Sequence, residues 1–130
     1  MFYHFSQNNS GGSFHVSHRD GISHHVIVEG QNLEDITERA EQIGLYWDGC
    51  SEGHDCSCCG DRWSRPWSDA DEVPSIYGQN VTEGVYVSDY KSIDKGPEGY
   101  IHYMDGRVVP VKVKKPVKKS KRDSLLIDRR

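Results

Sequence analysis

All four cysteines of this chain fall between positions 50 and 59, inside the stretch CSEGHDCSCCGDRW at 50 to 63. No other feature restricts the fold as much, because the backbone here must turn tightly enough to carry several thiols in one place. Cys56 and Cys59 form a Cys-x-x-Cys pair, and Gly60 follows where a tight turn favours a residue without a Cβ. Zinc takes thiolate and imidazole ligands in a tetrahedron. Five such donors stand together: Cys50, His54, Cys56, Cys58 and Cys59. The preferred ligands are Cys50, Cys56 and Cys59, completed by Cys58 or His54, with a distant His24 as the outside alternative. Cys58 is the weakest downstream thiol, since adjacent cysteines rarely both ligate one ion. The expected centre is a structural zinc in a zinc-knuckle-like loop.

Three other readings compete with zinc. The thiols can be free. A Cys-x-x-Cys redox couple needs a strand-then-helix context that this stretch lacks. A nucleophilic cysteine needs a base, and His4, His15, His18, His24, His25 and His102 are available, but no local signature pairs any of them with a thiol.

The size of the chain favours the metal. With 130 residues, 35 % of them hydrophobic, it forms one domain with a modest core, and small cores are often stapled. No run of about 18 apolar residues occurs, so no membrane-spanning helix is expected. The opening MFYHFSQNNSGG has neither the basic start nor the apolar stretch of a signal peptide. That points to a reducing compartment, where clustered cysteines bind metal or do chemistry rather than form disulfides.

Local patterns predict an α+β fold: a small antiparallel sheet, one main helix, the cysteine-rich loop and a C-terminal β-hairpin. FYHF reads as a short strand. Residues 13 to 29 read as a hairpin turning at Asp20-Gly21. Strand alternation would put His24 and His25 on opposite faces. Asn32 reads as a helix N-cap, Leu33, Ile36, Ala40 and Ile43 as one apolar stripe, and Gly44 as the C-terminal stop. Residues 48 to 75 read as irregular, and GVYVSDY as a strand. The segment 100 to 113 reads as a hairpin with a two-residue turn at Asp105-Gly106, and Pro110 predicts that its second strand lies at an edge.

Charge divides the chain in two. Residues 112 to 130 hold nine Lys/Arg against two Asp/Glu, and residues 1 to 111 hold seven against eighteen. The expected organisation is one domain at 1–111 and a basic tail at 112–130. Lys114, Lys115, Lys118, Lys119, Lys121 and Arg122 are the tail's candidate contacts. Beside the cysteines, Arg62, Trp63, Arg65 and Trp67 alternate cation and aromatic, a composition enriched at interaction hot spots and able to stack on bases. The tryptophans can equally cover a small core. Asp48, Asp55, Asp61, Asp69 and Asp71 have no spacing that requires a hard cation and read as a solvated acidic loop.

Several stretches resemble a group of small proteins of tailed bacteriophages and prophages that share a GxDCxCCGDRW motif. They are SQNNSGGSF at 6 to 14, DGISHHVIVEG at 20 to 30, IGLYWDG at 43 to 49, GHDCSCCGDRW at 53 to 63 and IHYMDGRVVPV at 101 to 111. The resemblance implies a phage origin and the host bacterial cytoplasm as the setting. It implies no activity.

Three functions follow as expectations. The first is a non-enzymatic zinc module that binds and modulates a host protein or nucleoprotein assembly in transcription, translation or defence, making its contacts through the Arg/Trp segment and the tail. The second is a nucleic-acid-binding protein whose tail neutralises phosphates, against which the acidic body acts by repulsion. The third is a metal- or thiol-dependent enzyme, which needs an open ligand position or an activated nucleophile. The oligomeric state is left open.

Overall fold

The structure, a computed structural model, describes residues 1–8, 14–89 and 96–116. Five strands form the main sheet: β1 (Phe2–Ser6), β2 (His25–Glu29), β5 (Val85–Val87), β6 (Gly99–His102) and β7 (Val108–Lys114), in the order β1-β2-β6-β7-β5. A small two-stranded sheet pairs β3 (Ser75–Ile76) with β4 (Gln79–Asn80). Among the described residues one helix, α1 (Leu33–Ile43), follows β2.

The α+β class stands, but the sheet is mixed rather than antiparallel. β1 and β2 pair antiparallel, β2 and β6 parallel, β6 and β7 antiparallel, and β5 and β7 parallel. The hairpin expected at 13 to 29 reduces, in its described part, to the single bridge Ser17↔Ile22. The β-branched strand after it pairs with β1 and β6 instead. β2 lies inside the sheet between β1 and β6, and its Val26, Ile27 and Val28 are buried on both faces. A strand buried on both sides gains more from two neighbours than from one local partner.

The helix follows its sequence signals closely. The Asn32 side chain accepts from the Asp35 amide at 2.8 Å, Glu34 and Asp35 occupy the first turn, and Gly44 stops the helix at φ 127°. Ile36 and Ala40 on its inner stripe are buried. Asn32→Ala should therefore lower stability by about 1 kcal/mol, read from urea unfolding, as loss of an N-cap side chain does.

Core side chains cover both sheet faces. On the helix side lie Tyr3, Phe5, Val26, Val28, Ile36, Ala40, Leu45, Trp47 and Trp63. On the other lie Phe2, Ile27, Ile76, Val81, Ile101 and Val111. The β6–β7 hairpin is present, with Gly99↔Val111 and His102↔Val108 in register. Its loop has three residues rather than two: Tyr103 N–H donates to the Arg107 carbonyl at 2.9 Å, and Gly106 takes φ 95°. A type I turn followed by a left-handed glycine has this form.

β7 is not an edge strand. Pairing with β5 begins only at Val85↔Lys112, two residues after Pro110, so the proline's missing donor costs no ladder bond. The same strand carries Lys112 and Lys114 of the basic segment into the sheet. Lys118, Lys119, Lys121, Arg122 and the Leu125–Ile127 stretch lie outside the described residues. Among the described residues, no helix is long and apolar enough to cross a membrane.

Candidate metal centre

The loop from Asp48 to Arg62 hangs on one buried carboxylate. Asp55, with a fully buried side chain, accepts from Tyr46 Oη at 2.8 Å through one oxygen and from the Arg62 amide at 2.8 Å through the other. The Arg62 guanidinium lies 3.7 Å from the first oxygen and donates to Gln7 Oε1 at 2.6 Å. The amides of His54 and Asp55 both donate to the Gly49 carbonyl. Gly49 is a spatial requirement: a Cβ there would land on the Asp55 carboxylate, 2.6 Å from its Cγ. Asp61 accepts from the Cys50 amide at 2.9 Å. Asn8, just past β1, donates to the Cys59 carbonyl at 2.7 Å, which ties the loop to the sheet. The reading of these aspartates as solvated therefore fails for Asp55, which is the loop's internal anchor. Its place between His54 and Cys56 hid that role, since a lone Asp in a polar loop carries no burial signal of its own.

The second half of the loop turns on Cys56. Its carbonyl accepts from the amides of Cys59 and Gly60, both at 3.2 Å, and Gly60 takes φ 93°. This turn gathers the sulfurs of Cys56, Cys58 and Cys59, all within 4.8 Å of one another. Cys56 and Cys58 are 2.8 Å apart and Cys58 and Cys59 are 3.9 Å apart. For Zn–S bonds near 2.3 Å, a tetrahedron has sulfur–sulfur edges of about 3.8 Å. The second separation fits as it stands, and the first needs to open by about 1 Å. These three cysteines could hold a metal ion.

Electrostatics favours loading through Cys56. Hydrogen bonds from the Cys58 thiol first, then from the Cys58 amide and from Cys59, lower the Cys56 thiol to about 7. The same contacts with Cys56 and Cys59 push Cys58 up to about 11. Metal binding displaces such protons, so affinity falls as pH drops.

The structure thus joins Cys58 to the group, although its sequence neighbour made it the least favoured thiol, and it sets Cys50 and His54 outside the three. Cys50 Sγ donates to the Cys56 carbonyl at 3.2 Å, and burial, then Asp61, raises its pKa. The His54 ring meets Tyr46 edge-on. His24 is elsewhere: it precedes β2, so strand alternation does not govern it, and its ring stacks on His25 with centroids 4.1 Å apart.

The Arg/Trp segment divides. Trp63 is 1 % exposed and belongs to the helix-side core, so it is not a contact residue. Arg62 serves Asp55 and Gln7 within the fold. Arg65 lies over the Trp47 ring at 5.9 Å, and Trp67 stands 83 % exposed. Lys114 and Lys115 are exposed at the end of β7.

No curated protein and no solved structure matches this chain. A family model does match it, over residues 1–118, and the chain belongs to that family, described as a domain of unknown function, DUF7296.

Proposed function

We propose that this chain is a phage accessory protein whose zinc-bearing loop helps present a surface to a host protein or nucleoprotein assembly. The observation that carries the metal part is the convergence of Cys56, Cys58 and Cys59 on a turn anchored by Asp55 and Asn8. Three thiolates leave one tetrahedral position, and we assign it to Cys50, which is already bonded to the Cys56 carbonyl. A site closed by four protein ligands is structural rather than catalytic, which favours a binding module over an enzyme. The exposed Trp67 beside Arg65 supports contact with a macromolecule, since aromatic and arginine side chains dominate such contacts. The phage setting and the host cytoplasm rest on the sequence resemblance.

Tagged full-length chain, recovered from phage-infected cells with and without nuclease, tests the partner. One stoichiometric host protein that survives nuclease and is lost with Cys58→Ser supports the reading. Recovery of partners only through nucleic acid would replace it with the nucleic-acid reading. Trp67→Ala should weaken capture while leaving stability within about 0.5 kcal/mol, as at other exposed positions.

A further inference from the structure

The sheet has two edges, β1 and β5, and they are treated differently. At β5 the Gln79 side-chain amide closes Val87: its nitrogen donates to the Val87 carbonyl at 3.1 Å and its oxygen accepts from the Val87 amide. A capped, three-residue edge strand resists further pairing.

At β1 the pairing alternates. Gln7 N–H donates to the His24 carbonyl and Gly30 N–H to the Met1 carbonyl, so the odd-numbered residues face β2. Phe2, His4, Ser6 and Asn8 face outward. Phe2 exchanges two 2.7 Å backbone bonds with Asp71, and Asn8 N–H donates to the Arg62 carbonyl. Between those anchors the amides and carbonyls of His4 and Ser6 bond to no group among the described residues. The intervening chain leaves this edge clear. Trp67 N–H and Ser68 Oγ–H donate to Tyr3 Oη, holding that loop to one side, and Tyr77 Oη meets Ser6 Oγ at 2.9 Å on the other. The result is a cleft of about 320 Å³ along the edge, bordered by Trp67, Tyr77, Asp69 and Asp71.

We infer that this cleft docks a short extended segment of a partner protein carrying an arginine, which adds as a strand beside His4 and Ser6. Four backbone groups in a row offer two donors and two acceptors to a main chain, the pattern used in strand addition. The anchors at Phe2 and Asn8 are six residue steps apart, about 20 Å, and His4 and Ser6 lie in the middle, so the paired part is three or four residues long. Charge selects the side chain. Asp69 and Asp71 border the cleft, and the exposed ring of Trp67 is a surface on which a guanidinium stacks. The inference names a contact surface that the zinc reading does not require, although the Arg62 carbonyl at the end of the metal loop anchors one end of the cleft.

The test uses the full chain, labelled with ¹⁵N, and a capped Thr-Val-Arg-Val-Thr peptide as probe. In the free protein the His4 and Ser6 amides should exchange rapidly, and the peptide should slow them. Backbone N-methylation of the peptide, or replacement of its arginine by glutamate, should each weaken binding at least tenfold. Asp69→Asn and Trp67→Ala should each weaken it several-fold, and Glu38→Gln, exposed on α1, should bind the peptide as the parent chain does. Zinc content measured on the same samples separates failure here from failure of the zinc reading. Equal binding by the N-methylated peptide, or affinity weaker than about 1 mM, would overturn the inference. So would amides already protected in the free protein, whether relieved by dilution, which would name a second copy as occupant, or by ending the chain at Pro116, which would name its own tail.

Discussion

Asp55→Ala should lower stability by about 3 to 5 kcal/mol, because it leaves Arg62 and Tyr46 buried around an absent carboxylate. The Arg62 side chain is 12 % exposed, so water does little to replace the lost partner. The effect should reach the cysteines, since the Arg62 amide closes one end of their loop. Gly49→Ala should reproduce much of the loss, because the added methyl displaces the same carboxylate. The double variant should then fall well short of the sum of the two, as residues sharing one interaction do. Urea unfolding of the four chains measures this. Additive losses would show that Gly49 and Asp55 act separately.

Lowering the pH from 7 to 4.5 should destabilise the protein by more than ordinary surface titration does. His4 Nε2 lies 2.7 Å from His25 Nδ1 in the sheet, and burial, then repulsion from His24, lowers His4 to about 4. Burial, then His24 and His4, lowers His25 to about 2, and burial also lowers His24, whose Nδ1 is 3.8 Å from the buried Glu98 carboxylate. In each case the folded chain holds its proton less tightly than the unfolded chain. The stabilisation is whole above about pH 6.5 and declines as pH falls, through about 4 for His4 and lower still for His25. His4 alone accounts for about 3 kcal/mol across that interval, a large share of a small domain's stability. Urea unfolding at several pH values checks it, with His4→Leu as comparison. Loss of metal in acid acts on both chains, so a shallower decline in His4→Leu isolates the histidine. Parallel declines would contradict the account.

What the sequence disclosed was local. The helix was legible from Asn32 to Gly44 because its cap, stripe and stop all lie within its own span. The β6–β7 hairpin was legible because Asp105-Gly106 marks the turn, although the loop takes one residue more. The partners of β2 were not legible. HVIVE pairs with residues twenty places before it and some seventy after it, and no periodicity reports such distances. The cysteine motif identified the region but not the grouping. Cys58 joins Cys56 and Cys59 because the Cys56 carbonyl takes both the Cys59 and Gly60 amides, a turn geometry that spacing alone does not resolve. Trp63 and Trp67 look equivalent in the sequence, yet one fills the core and the other meets solvent.

The metal reading is tested most directly by X-ray absorption on full-length chain purified without chelators, with metal content measured on the same sample. The account predicts about one zinc per chain with sulfur near 2.3 Å, three of the sulfurs lost or replaced only when Cys56, Cys58 or Cys59 is changed to serine, and a fourth answering to Cys50. A folded protein without bound metal and with four freely titrating thiols would contradict it, as would a zinc shell of nitrogen and oxygen alone.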